Sequence, residues 1–283
     1  MANIKDKQGV LIATINVRGL NIAGKRAHIF QSLLDLPYQI FALQETHITQ
    51  TAIKICMKEW PGKSFWCPSP NSRSCGVAFL LKPNFNANVV NFKHDADGRV
   101  MALNIKIQNT NFQLLNIYSP TKDSQKPFFY NNILNYSYSN LPLILLGDFN
   151  MVEDPVLDKT GSNDTRATIG LRELNRIKEE YSLVDTWRST NKKLKQYTWS
   201  NKKQTTQTRI DRIYAPTNWL PKSFVCKIVP FPWSDHDIVR IKILIPDSLK
   251  RRSMEIKHLS LLEDPGYKKV ITKFYEAWKF ENT

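Results

Sequence analysis

The most regular feature of the chain is a series of short apolar runs that end abruptly in polar residues. "GVLIATINVRGL" (9–20) reads as a strand broken by a turn at Gly19. "YQIFALQET" (38–46) and "LPLILLGDFN" (141–150) are apolar at consecutive positions, as strands covered on both faces are. Further β runs are "SFWCPS", "CGVAFLLK", "ANVVNFKHD", "RVMALNIKIQ" and "NFQLLNIYSP" between 64 and 120. "SLVDTWRS", "QYTWSN", "TRIDRIYAP" and "DIVRIKILI" follow between 182 and 245. Helical spacing appears in "AGKRAHIFQSLLDL" (23–36), with Ile29, Leu33, Leu34 and Leu36 on one side. It appears again in "TAIKICMKEW" (51–60), which Pro61 stops, and over 125–138 and 171–181. Helices scattered among many short strands, with no repeat period, predict an α/β sandwich: sheets packed face to face with helices outside. The pattern ends near Pro246, and 247–283 reads as a basic, helical appendage.

The polar residues that close the runs form a set. Asn16 stands at the exit of the first strand, Glu45 at the second, Tyr118 at a later one, and Asp148 with Asn150 at the exit of 141–148. Asp211 lies in "RIDRIY", and Ser234, Asp235 and His236 precede the last strand. Taken singly, each has a plain structural explanation, such as a turn, a solvated carboxylate or a core histidine. Six coincidences exceed that explanation, because rigid frames collect functional residues in the loops at one edge. Carboxylates and amides suit Mg²⁺, which binds through one or two carboxylates plus substrate phosphate. Zinc would want more His or Cys. One His backed by an Asp suits acid–base work or phosphate polarisation. Together they suit attack of water on a phosphodiester.

Charge supports that direction. Lys+Arg 40 against Asp+Glu 25 gives +15 over 283 residues, a balance that favours an anionic partner, nucleic acid ahead of an anionic membrane. Lys192, Lys193, Lys195, Lys202 and Lys203 flank "QYTWSN", Arg209 and Arg212 flank Asp211, and Tyr197 and Trp199 lie among them. The group reads as a phosphate-tracking surface. Cys56, Cys67, Cys75 and Cys226 have no metal-ligand spacing and read as reduced, buried thiols of an intracellular protein. No apolar run is long enough to span a bilayer.

"INVRGL", "LQETH", "NIYSP", "GDFN", "YTW", "RIDRIY" and "SDHDIV" occur in an order that resembles the endonuclease/exonuclease/phosphatase superfamily, from about residue 11 to 245. "INVRGLN", "LQETH" and "RIDRIYAP" most resemble the endonuclease domain of non-LTR retrotransposons of the long interspersed type. The resemblance implies a four-layer α/β/β/α sandwich of two mixed sheets over 1–246. It also implies that 247–283 is a linker toward a reverse transcriptase that does not follow here, so that the chain is an isolated or truncated product. It implies Mg²⁺ (or Mn²⁺), double-stranded DNA as partner, a free 3′-hydroxyl product and a nuclear location. Residue by residue, it implies Glu45, Asn16 and Asp235 at the metal and Asp148 or His236 as the base. Asn150 would hold the phosphate, Tyr118 would stand near it, and Asp211 would orient His236. Thr198, Arg18, Arg209 and Lys202 would meet substrate. Arg18 stands where enzymes that cut at abasic sites carry an aspartate, which disfavours a second metal and a dedicated abasic-site enzyme. A repair nuclease of the exonuclease III type, a phosphatase of small anions and an inactive DNA-binding relic are the competing readings.

Overall fold

The computed structural model describes residues 9–137, 141–161, 168–220 and 225–244; the expected linker at 247–283 lies outside them. The apolar runs pair into two six-stranded mixed sheets. The first contains β1 (Gly9–Asn16), β2 (Ile40–Gln44), β3 (Ser64–Cys67), β4 (Val77–Leu81), β14 (Cys226–Val229) and β15 (Ile238–Leu244), in the order β14-β15-β1-β2-β4-β3. The second contains β5 (Asn88–His94), β6 (Val100–Ile107), β7 (Thr110–Tyr118), β8 (Leu143–Asp148), β10 (Leu183–Asp185) and β13 (Asp211–Pro216), in the order β10-β13-β8-β7-β6-β5.

Alternation along each strand explains why the runs look unbroken. In β8, Ile144 and Leu146 face the other sheet and join Ile12, Phe79, Leu114 and Ile213, whereas Leu143 and Leu145 face outward. There they meet Phe129 and Tyr130 of α3 (Lys126–Asn132) and Leu174 and Ile177 of α4 (Leu171–Glu180). On the other side, Ile29, Phe30 and Leu33 of α1 (Ala23–Asp35) and Cys56 of α2 (Ile53–Glu59) cover Ala13, Ile15, Phe41 and Leu43. Each large side chain so buried contributes about 1.5–3 kcal/mol, so the four-layer sandwich is where both faces of such strands come to rest.

Topology then selects one edge. Each sheet has one parallel pair at its centre, β1 with β2 and β7 with β8, and their other neighbours run antiparallel. The parallel pairs therefore bring their C-terminal ends to one edge, carrying Asn16, Gln44, Tyr118 and Asp148. The antiparallel partners start at that same edge: Asp211 opens β13 directly opposite Asp148, and β15 begins beside the end of β1. Just behind, a polar lock ties the sheets together. Gln44 Nε2 donates to Asn116 Oδ1 (2.6 Å) and Thr14 Oγ1 (2.9 Å), and Asn116 Nδ2 donates to the Leu43 and Ala78 carbonyls (3.0 Å each).

One predicted strand is a correction. Residues 182–189 are strand only through β10 and then turn into α5 (Thr186–Thr190). Asp185 Oδ1 accepts from the N–H groups of Trp187 (3.0 Å) and Arg188 (2.9 Å), a side-chain N-cap that starts the helix.

Candidate active site

Asp148 is 1% exposed although it is a carboxylate. The chain reaches it through Gly147, whose φ of +138° and close approach to β7 exclude a side chain: a Cβ would lie 2.0 Å from the Ile117 carbonyl. Its two oxygens are both held, Oδ2 by Asn16 Nδ2 (2.9 Å) and Oδ1 by the Asn150 N–H (2.8 Å). Burial, and after it the facing Asp211 carboxylate, push its pKa up to about 7, against the pull of His236, Asn16 and the Asn150 amide.

Asp211 is the cross-strand partner of Asp148, and its Oδ2 is 2.9 Å from His236 Nδ1. Burial disfavours the imidazolium, but Asp211, Asp148 and Asp235 outweigh it and raise His236 to about 9. The ring is therefore cationic at neutral pH, with Nδ1 donating to Asp211. Ligand atoms of Asp148, Asp211 and His236 all lie within 4.8 Å of one another.

Glu45 joins this group through Asn16, whose Nδ2 also donates to Glu45 Oε1 (2.8 Å). The Asn16 amide thus bridges two carboxylates, while its Oδ1 accepts from the Arg18 N–H (3.0 Å). Burial works to raise Glu45, but hydrogen bonds from His47, Asn16 and Tyr118 and the charge of His236 hold it at about 2. It stays a carboxylate under all ordinary conditions. Burial and the nearby Glu45 raise Tyr118 in turn, so its phenol keeps its proton; the Arg99 guanidinium packs over the ring at 5.0 Å.

These groups open into a cleft of about 440 Å³ lined by Arg18, Glu45, Asn150, Lys159, Trp199 and Asp235, among others. Asn150 sits there in a left-handed backbone (φ 45°), and its Nδ2 donates to the Ser119 carbonyl (2.8 Å). Arg18 pairs with Asp235 Oδ2, which Trp199 Nε1 also reaches (3.1 Å). Ser234 supports the frame: its Oγ donates to the Asn16 carbonyl (2.7 Å) and accepts from the His236 N–H (3.2 Å).

Two expected substrate contacts have other placements. Arg209 is 2% exposed: it grips Asp158 with two N–H groups (2.8 and 2.9 Å) and Asp185 with a third (2.7 Å). Arg212, read with it as tracking phosphate, is equally buried and donates to the Met151 and Arg209 carbonyls (2.7 Å each). Charge beside Asp211 suggested a surface, but Arg212 is buried within β13 and Arg209, just before the strand, is drawn inward by Asp158 and Asp185. Thr198 is buried too, and its Oγ1 accepts from the Ile210 and Asp211 N–H groups (3.1 Å each). It fixes where Asp211 starts rather than reaching outward. Lys202 is exposed in the turn between β11 (Trp199–Ser200) and β12 (Gln207–Thr208), which pairs in turn with β9 (Lys159–Thr160).

Sequence reasoning passed over Lys126, which is 3% exposed and donates to the Asn150 carbonyl (2.5 Å) and to Asp123 (2.7 Å). With Arg212 on the next carbonyl, it clamps the backbone that presents Asn150. A lysine inside an otherwise apolar helical stretch, "KPFFY", was the available signal.

The donor set suits a hard divalent cation. Among the described residues, Asp211 Oδ1 and Asp235 Oδ1 are buried without a hydrogen-bond partner, and Glu45 is held ionised. His236, protonated and bound to Asp211, is the poorest candidate ligand of the group.

Comparison with known proteins agrees with the fold. The chain superposes on the AP endonuclease LMAP from Leishmania major with a TM-score of 0.70 at 16% identity, over 84% of this chain and 88% of that one. The catalytic domain of Xenopus laevis APE2 gives 0.66 at 20% identity, over 83% and 92%. The 3′ phosphatase NExo from Neisseria, solved with a product DNA hairpin, gives 0.66 at 18% identity, over 83% and 99%. In sequence, 273 residues are 28% identical to the "Transposon TX1 uncharacterized 149 kDa protein" of Xenopus laevis; this covers 95% of this chain but 21% of that relative's length. Residues 13–236 match the model of the Endonuclease/Exonuclease/phosphatase family, so most of the sandwich and the whole polar edge fall within the match, and the chain belongs to that family of phosphoester-hydrolysing enzymes.

Proposed function

We propose that this chain is a Mg²⁺-dependent DNA endonuclease that hydrolyses a phosphodiester in duplex DNA and leaves a 3′-hydroxyl. The observation that carries the reading is the convergence of Asp148, Asp211, His236 and Glu45 in one cleft of a strongly basic protein. Similarity to a transposon protein supports a role in nicking target DNA for a non-LTR retrotransposon. In that role, residues 1–246 are the nuclease and 247–283 lead toward a reverse transcriptase.

Glu45, with the unpartnered oxygens of Asp211 and Asp235, would hold the cation, and Asn16 would set the Glu45 carboxylate in place. When bound, the ion supplies Lewis-acid stabilisation of the charge that builds on the phosphate oxygens. Asp148 is the base. With a pKa near neutrality it is partly ionised at pH 7 and still strong enough to take a proton from the attacking water. As that oxygen bonds to phosphorus, the P–O3′ bond breaks and the departing O3′ takes a proton from solvent. The His236 imidazolium, oriented by Asp211, donates to a non-bridging phosphate oxygen, as does the Asn150 amide, while the Tyr118 phenol stands beside them with its proton hydrogen-bonded to Glu45, which it helps to keep ionised. Exposed Lys192, Lys193, Lys195, Lys202 and Lys203 extend a positive rim along which a duplex backbone would lie.

The purified chain should nick supercoiled plasmid only with Mg²⁺ or Mn²⁺, and the nick should prime a DNA polymerase without end repair. A strong preference for an abasic oligonucleotide over intact plasmid would favour the repair-nuclease reading instead. Products that cannot be extended would rule out the 3′-hydroxyl.

A further inference from the structure

A second cavity, of about 540 Å³, lies beside the cleft, and the proposed reaction leaves it unused. The turn between β5 and β6 forms one wall, with Asp95, Asp97 and Arg99. α3 and the turn that follows it form the other, with Phe128, Asn132 and Tyr136. Strand pairing places this cavity next to the site. β6 starts where β7 ends, so the Tyr118 N–H donates to the Arg99 carbonyl (2.8 Å) and Arg99 Nη1 to the Tyr118 carbonyl (3.2 Å). On the other wall, Lys126 ties the start of α3 to the Asn150 carbonyl.

The lining is unusual for so basic a protein. Its charged members are Asp95 and Asp97 against Arg99, whose guanidinium already packs on Tyr118, so a phosphate is repelled. Asp95 is fixed in place: its Oδ1 accepts from the Arg99 and Val100 N–H groups (2.9 and 3.1 Å) and from the Cys67 thiol (3.4 Å). Its Oδ2 takes none of these bonds. Burial works to raise Asp95, and a donor arriving at Oδ2 would favour the ionised form. Burial, and then the charges of Asp95 and Asp97, raise the Tyr136 phenol, so all three surround one space. Phe128 is 76% exposed, although its neighbour Phe129 is buried.

An aromatic face beside fixed acceptors, with no place for a phosphate, matches a nucleobase rather than a backbone. An ionised carboxylate only accepts hydrogen bonds, so bases with amino donors fit it. Guanine fits best, because its adjacent N1–H and N2–H₂ donors match the two oxygens of one carboxylate. Pulling a paired base out of a duplex costs more than one aromatic stack returns, so the suitable base is already unpaired. We propose that this cavity holds an unpaired, amino-bearing nucleobase, guanine above all, from DNA next to the scissile phosphate. Phe128 stacks on the base, Asp95 and Asp97 read its amino edge, and Arg99 with Tyr118 separates it from the cleft. The inference rests on the DNA-cleaving reading above and adds to it a preference for substrates with an unpaired base beside the cut.

Anisotropy in metal-free buffer, where DNA stays intact, tests this with nicked duplexes that carry one unpaired G or T at successive positions around the nick. At one position the parent should bind unpaired G about tenfold more tightly than the fully paired nicked duplex, with T in between. Phe128→Ala should lose the gain for both bases, Phe128→Trp should keep it, and Asp97→Asn should shrink the advantage of G over T. Both side chains are exposed, so thermal midpoints should not move. Equal binding of paired and unpaired duplexes at every position would overturn the inference and leave Phe128 as a contact for a protein partner. A full gain in Phe128→Ala would overturn it too, and equal gains for G and T in the parent would overturn the assigned base class. None of these results touches the DNA-cleaving reading, which would itself fall if the parent bound none of the duplexes.

Discussion

Two clusters of acids and cations lie a few residues apart at the start of β13, and they behave in opposite ways. Around Asp158, every carboxylate oxygen meets a donor: Arg209 binds it bidentately, Arg188 reaches Oδ1, and the carboxyl is held at about 2 despite burial. Around Asp211, two carboxylates face each other across a β-ladder, one oxygen has no partner among the described residues, and Asp148 is driven up to about 7. The acids of the first cluster are satisfied, and the cluster ties 151–158, α5 and β13 into one rigid block. The second is held in place by that block and remains short of positive charge. A buried acid pair left short of cations is poised to take up a proton or an ion, whereas an acid whose oxygens are all met by guanidinium donors is only structure.

Removing a member of each cluster breaks the comparison most sharply. Asp148→Ala should lower plasmid nicking by about 10²–10⁴-fold while the thermal midpoint stays near that of the parent; His236→Ala should lower nicking as much, with a loss of stability at pH 7, where its imidazolium pairs with Asp211. Equal nicking rates would show that the centre has been misassigned. Asp158→Ala should do the reverse. Leaving Arg209 buried and unpaired should cost about 3–5 kcal/mol of stability in denaturant titrations, with the activity of the remaining folded protein little changed.

Titration sharpens the contrast. Nicking should rise as Asp148 ionises through about pH 7 and fall as His236 loses its proton through about pH 9. His236 binds its proton more tightly folded than unfolded, so the stability it lends is complete below the ordinary imidazole pKa and is lost as pH rises from 6.5 to about 9. A His236→Gln variant should lack this loss, which stability curves at pH 6 and pH 9 would reveal. The Asp158 cluster, held at about 2, should contribute nothing in that window.

The smallest effect concerns the rim. Lys202→Ala and Lys203→Ala should each reduce the slope of log K against log[salt] by about one, with a similar loss on any DNA sequence. Arg209→Ala should instead act through stability. Anisotropy measurements across a salt series would separate the two cases.

The residues at the polar edge were legible in the chain because each borders an apolar run, and a buried strand has to start and end somewhere polar. Asn16, Glu45, Tyr118, Asp148 and Asp211 all occupy such ends. Arg209 and Arg212 misled because a charge beside a functional aspartate looks solvated until its strand is given a register and a second layer. The α5 start was missed for a local reason: Leu183–Asp185 is β-like, and only the Asp185 cap shows that the strand stops there.

Sequence alone determined which segments are strands buried on both faces, that the chain is strongly basic, and which side chains stand at the strand ends, because periodicity, charge and residue order are properties of a line. Tertiary structure decided which of those side chains meet: that Asp148 faces Asp211, that Asn16 bridges two carboxylates, that Arg18 caps Asp235 and that Arg209 turns inward. Proton affinities depend on neighbours a few ångströms away and on exclusion of water, and strand pairing sets both across more than a hundred residues of chain.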